Sequence, residues 1–210
     1  MEKQFIQLQL ALFFKTDFNG KIEDASLAIK EKFGSDMGTQ ILNIPPVAPP
    51  EIPRLILTSQ AVNVNLSKNR IDFFAKSKTF ANDNQVNILS VLEKLKIEVV
   101  RVGFVLTFFK ESDQGDLKSL LNNSNIESSN LKDITVRLNE EVEIKGFKSN
   151  NSQMYVSGSV KDNNGVTKNG VVITRDINSL ISDVDKNDFT NEKLKEFLEE
   201  ALTLAEKSLI

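Results

Sequence analysis

The run Ile97-Glu98-Val99-Val100-Arg101-Val102-Gly103-Phe104-Val105-Leu106-Thr107-Phe108-Phe109 is nearly all apolar and rich in Val and Phe. Such a run reads as one long β-strand. Side chains alternate across a strand, so the closing Phe108-Phe109 doublet sends one ring to each face. Two more doublets, Phe13-Phe14 and Phe73-Phe74, close strand-like runs in the same way, and the three together hold six of the 14 Phe. Both faces of the sheet are therefore expected to be apolar there. The second face must then be covered by the rest of the chain, a second copy or a ligand.

Outward from that strand, Gln4 to Phe14 alternates, with Ile6, Leu8, Leu10 and Leu12 on one side and Gln7 and Gln9 on the other. Ile22 to Phe33 has helical spacing and stops at Gly34. All five prolines fall between Ile44 and Pro53, a segment that cannot pair as a central strand and reads as an extended connector or edge cover. Leu55 to Ser59, Ala61 to Leu66 and Arg70 to Ala75 read as strands, and Asn84 to Lys96 carries a helical stripe. The first half thus reads β-α-β-β-α-β, the ferredoxin-like order. Polar residues 113–130, with a helical snippet at Leu117 to Leu121, read as a linker. Ile134 to Ile144 alternates with a phase shift at Asn139-Glu140 that suggests a bulge. Gln153 to Val160 and Gly170 to Ile177 flank the turn-rich Asp162-Asn163-Asn164-Gly165, and an amphipathic helix runs from about Asn191 through Ser208. The expectation is an α+β protein in one compact unit. A ferredoxin-like half (1–112) packs on a second antiparallel β-meander with a C-terminal helix (131–210), and the Phe doublets lie between the halves or at a dimer interface.

At 210 residues and 40% hydrophobic content the chain can bury a core without staples. It contains no Cys and no His. That removes thiolate chemistry, His-assisted nucleophiles and Cys- or His-ligated metals, leaving carboxylates, Lys, Tyr155 and hydroxyls. An enzyme is disfavoured and no cofactor is called for. No apolar run is long enough for a membrane helix, and Met1 to Gln4 does not open a signal peptide, so a cytoplasmic location is expected. The net charge of −3 is uneven: residues 1–110 hold 14 Lys and Arg against 11 Asp and Glu, and residues 111–210 hold 12 against 18. Neither half has the basic excess of a nucleic-acid binder.

Two local patterns bear on chemistry. Asp183-Val184-Asp185-Lys186-Asn187-Asp188 opens like an EF-hand loop, but Asp188 stands where Gly belongs and Leu194 where the bidentate Glu belongs. It reads as an acidic loop before the last helix rather than a metal site. If a hydrolytic centre exists, Asp176, Asp183, Asp185 and Asp188 are its candidates. Arg101 to Phe108 is close to an aromatic RNA-binding strand, but one residue too many separates Phe104 from Phe108. Phosphate-binding glycine loops are absent from the sequence.

The strand Val99-Val100-Arg101-Val102-Gly103-Phe104 is preceded by the Pro-rich segment, Arg54 to Ser59, the Asn69-Arg70-Ile71-Asp72-Phe73-Phe74 strand and a short helix. This order resembles a sporadically distributed bacterial family of uncharacterised proteins in which two strands and a helix lead into a "rhIGhRY-N" strand. Val171-Val172-Ile173-Thr174-Arg175-Asp176-Ile177 and the last helix resemble its closing elements. Phe104 to Phe109 departs from the family's Arg-Tyr-Asn ending, and the last helix lacks its His. The resemblance implies an α+β fold and no established activity, so it assigns no residue a role.

The leading functional expectation is a non-catalytic protein-binding or adaptor protein, acting as a homodimer, with Val47 and Ile52 near the prolines as the contact surface. The alternatives are a pocket for a small apolar or acidic ligand, lined by Phe73, Phe104 and Phe108, and a carboxylate- and metal-dependent hydrolase. The high Asn and Lys content points to an AT-rich bacterial or phage genome.

Overall fold

Leu8, Leu10 and Leu12 of β1 (Gln4–Phe14) lie fully buried on one side of a sheet, while Gln9, Ala11 and Phe13 point to the other. The chain is described by a computed structural model at residues 3–111, 135–161 and 165–207. After β1 come α1 (Ile22–Phe33), β2 (Gly38–Ile41), β3 (Leu55–Thr58), β4 (Val62–Leu66), β5 (Arg70–Ala75), the single-turn α2 (Phe80–Asp83), α3 (Gln85–Lys94) and β6 (Val99–Glu111). Then follow β7 (Thr135–Ile144), β8 (Phe147–Lys161), β9 (Thr167–Ser179) and α4 (Asn191–Glu206). The strands form one antiparallel sheet in the order β2-β3-β4-β5-β1-β6-β9-β8-β7.

That sheet overturns the expected ferredoxin-like half packed on a second meander. The second half adds no layer: β9 pairs edge to edge with β6, from Gly103 opposite Asn178 to Glu111 opposite Gly170. The reason lies in the backbone of β6, which has hydrogen-bonding groups along both edges and must satisfy both when buried. β1 takes one edge and β9 the other. Four strands, not two, lie between α1 and α2. The sheet thus runs unbroken across the division expected at 113–130, a segment that, with Leu117 to Leu121, lies outside the described residues.

Helices of the described residues pack on one face only. Ala25 and Ile29 of α1, Ile88 and Val91 of α3, and Leu194, Phe197 and Ala201 of α4 share a core with Leu10, Phe73, Val102, Phe104 and Ile177. Phe147 stacks on Phe189 with centroids 4.0 Å apart, and Phe197 meets both rings edge-on, at 6.1 and 5.4 Å. This aromatic trio seats α4 over the β6–β9 seam.

The Phe doublets do split across the sheet. Phe14 and Phe73 enter the core, while Phe13 and Phe74 lie half-buried on the opposite face. The third pair reverses the pattern: Phe108, on the helix side, is half-buried, and Phe109, on the other, is 2% exposed. Two local expectations fail. Ile6 leaves the Leu8–Leu12 face because a register shift between Phe5 and Gln7 lets Phe5 pair with Phe108 instead. No bulge interrupts Asn139-Glu140, since β7 pairs with β8 without a break from Thr135 to Ile144. β7 is an edge strand, largely exposed, so its hydrophobic phase carries little weight. Asp162, Asn163, Asn164 and Ser208 lie outside the described residues.

Candidate functional site

On the helix-bearing face, the strands beyond β6 change character. β8 turns Ser149, Asn151, Gln153 and Tyr155 toward that side, and β9 turns Ile173, Arg175 and Ile177. Ser149, Asn151, Gln153 and Arg175 are buried polar groups in what the pleat alone would make a core. Burial of such groups is tolerated when they are hydrogen-bonded. The Tyr155 hydroxyl donates to Gln153 Oε1 at 2.8 Å, and Asn151 Nδ2 donates to Glu140 Oε2 at 3.4 Å.

Above this polar floor α4 ends, and a cleft of about 360 Å³ opens between its last turn and the sheet. Phe108, Ile173, Tyr155 and Ala205 form its apolar walls; Lys3, Lys78, Arg175, Glu206 and Lys207 supply its charges. Its size and its few convergent polar groups suit a small-molecule site. Phe5 meets Phe108 edge-on at 5.8 Å and fixes that wall.

Arg175 is the central group. It is 4% exposed, and its Nη2 donates to the Leu204 carbonyl at 2.9 Å, closing the C-terminal turn of α4. A cation there also suits the negative end of the helix dipole. Nε and Nη1 are buried without a well-formed hydrogen bond. Burial pulls the guanidinium down from its ordinary value, while the neighbouring Tyr155 hydroxyl and the more distant Glu140 pull it up. Burial raises the Tyr155 phenol, opposed by Arg175. Lys3 is lowered by burial first, then by the Lys110 and Arg175 charges. Lys78 pairs with Glu206 at 2.5 Å, tying the β5–α2 connection to the end of α4.

Of the residues expected to line a pocket, only Phe108 reaches this cleft. Phe73 and Phe104 are fully buried on the same face, Phe73 against Phe33 and Phe80 at 5.5 and 6.3 Å. Val47 is 94% exposed in the Pro-rich connector between β2 and β3, and Ile52 is half-buried there. Asp176 sits on the helix-free face, accepting from Asn178 Nδ2 at 3.0 Å. Asp183 lies in a 3₁₀ turn before α4 and pairs with Lys186 at 3.2 Å; Asp185 and Asp188 are exposed nearby. Among the described residues no three carboxylates, Asp176, Asp183, Asp185 and Asp188 included, group closely enough to hold a metal ion. Arg175, Tyr155 and the end of α4 went unmarked as site residues in the sequence. The one available signal was an Arg at an inward position of the alternating Val171 to Ile177 strand.

The helix-free face carries its own cluster. Arg101 lies over the Phe13 ring at 4.6 Å and Arg70 at 5.7 Å. Asp72, 3% exposed, forms an ion pair with Arg70, whose Nε lies 2.9 Å away, and accepts from Gln9 Nε2 at 3.1 Å. Burial nonetheless raises the Asp72 carboxyl, with Arg70 and Gln9 opposing. Arg101 also donates from Nε to the Ser179 carbonyl at 3.2 Å and from Nη2 to Asn178 Oδ1 at 3.4 Å, so these groups are answered largely within the face. A second hollow of about 350 Å³, beside Phe74 and the β3–β4 turn, has Lys76 as its single charged lining residue.

No protein-family model matches the chain, and no curated protein matches it. No helix among the described residues is long and apolar enough to cross a membrane.

Proposed function

We propose that the protein is a non-catalytic binding protein whose ligand is a small organic acid held in the cleft at the end of α4. The observation that carries this reading is Arg175: a buried guanidinium on the cleft lining, with two nitrogens lacking well-formed hydrogen bonds. Leaving such a group unmet costs on the order of 1–3 kcal/mol, which an anionic ligand would recover. Phe108, Ile173 and Tyr155 offer the apolar contact for the rest of the molecule. Titration calorimetry with a panel of aromatic and aliphatic acids tests it. Binding should appear and should weaken in Phe108→Ala and in Arg175→Gln, the latter confirmed folded by circular dichroism. An absence of heat with every acid at millimolar concentration would sink the reading.

A second reading, the protein-binding or adaptor role with self-association, is supported by the nearly complete exposure of Val47 and by Ile41, 51% exposed on edge strand β2. Light scattering coupled to size exclusion should then show a dimer that Val47→Asp weakens; a monomer at all concentrations speaks against self-association. The resemblance to the sporadic bacterial family remains a proposal with no activity attached.

A further inference from the structure

We infer that the anionic part of the cleft's ligand is a doubly charged phosphate-type group on a flat apolar body, an inference that rests on the cleft being the ligand site. Lys78 already has a carboxylate, Glu206, at 2.5 Å, so one charge of the lining is answered from within. Arg175 and Lys207 make no ion pair among the described residues, and both line the cleft. Arg175 has the Leu204 carbonyl at hydrogen-bond distance and the Tyr155 hydroxyl beside it, but no carboxylate in an ion pair with it among the described residues. A carboxylate answers one of these two cations; a dianion answers both. Arg175 is buried, so leaving it unanswered is costly, and Lys207, exposed at the rim, adds a second attraction from which a doubly charged group gains more than a singly charged one. The Phe108 and Ile173 side chains beside them suit a ring or other flat apolar body.

A phosphate monoester loses its second proton near pH 6, whereas a carboxylate is fully charged from about pH 5 upward. The charged and titratable groups around the cleft are Lys3, Lys78, Lys110, Tyr155, Arg175, Glu206 and Lys207, with Glu140 farther off. Measuring benzoate under identical conditions cancels whatever these groups contribute to the pH response. Calorimetry on the full chain with phenyl phosphate and benzoate, at about pH 7.5 and about pH 5, therefore separates the two anions. Phenyl phosphate should bind roughly tenfold more tightly at the higher pH, the equivalent of about 1.4 kcal/mol. That advantage should shrink several-fold at the lower pH, and Lys207→Ala should reduce it while leaving benzoate nearly unchanged. Benzoate binding as well as or better than phenyl phosphate overturns the inference and leaves the acid-binding cleft standing. Failure of both probes to bind removes the inference together with the cleft reading beneath it.

Discussion

One face of one sheet carries two different interiors. Under α1 and α3, strands β5, β1 and β6 present Phe73, Leu10, Leu12 and Phe104, all fully buried, and no polar side chain intervenes. A few ångströms along the same face, β9 and β8 present Arg175, Asn151, Gln153 and Tyr155. Both regions exclude water, but only the first does so with apolar matter. The contrast teaches that burial does not by itself make a core. The first region is held by the hydrophobic effect and close packing, which need no direction. The second depends on specific hydrogen bonds, and they run out at Arg175 beside the cleft, where Nε and Nη1 are buried without a well-formed one.

The sharpest way to break this comparison uses two rings on one strand and one face. Phe104→Ala should cost about 3–5 kcal/mol, the usual range for a fully buried Phe, measured by urea unfolding. Phe108→Ala, in a half-buried position, should cost about 1–2 kcal/mol and weaken the acid binding instead. Equal destabilisation by the two would merge the regions.

Gly170 tests the seam that joins them. A Cβ there would overlap the Lys110 carbonyl oxygen and sit 2.8 Å from Cζ of Phe109. Gly170→Ala should therefore destabilise the protein by about 1–3 kcal/mol, the range for overpacking, with hydrogen exchange rising first along β9. A neutral Gly170→Ala would mean that the β6–β9 pairing is looser than drawn.

Smaller effects belong to the helix-free face. Phe13→Leu keeps the apolar volume but removes the ring beneath Arg101 and Arg70, and should cost about 0.5–1 kcal/mol. Asp72 adds a pH signature. Its folded carboxyl is raised, so its contribution favours folding most at low pH, below the ordinary carboxyl range, and fades as pH rises through the raised value. Asp72→Asn should flatten that acid-side slope in urea midpoints taken across the interval. At neutral pH the change should stay below about 1 kcal/mol, because relief of the buried charge offsets loss of the Arg70 pair. A slope unchanged by Asp72→Asn would assign it to other groups.

Much of the local structure was legible from residue order. β1 and α1 fall where alternation and helical spacing place them, the Pro-rich run is a connector, and α4 begins at Asn191. Short β2 was missed because Gly38-Thr39-Gln40-Ile41 lies at the sheet edge with every residue exposed and so carries no burial pattern. Phe108 was the single expected pocket residue that reaches the cleft. Arg175 escaped because one inward Arg in an apolar alternation has no local marker of its partner, the Leu204 carbonyl 29 residues later.

By itself the sequence determined which faces are apolar, where the chain must turn, and, through the absence of His and Cys, which chemistries are closed to it. These follow from side-chain chemistry and the fixed periods of helix and strand. Only the tertiary structure decided that β9 would complete the hydrogen bonds of β6 instead of stacking across it. The same structure decided that α4 would end above a buried arginine. Backbone pairing is chemically the same for every residue, so the choice of partner strand is written in the packing of the whole sheet rather than in any one stretch of it.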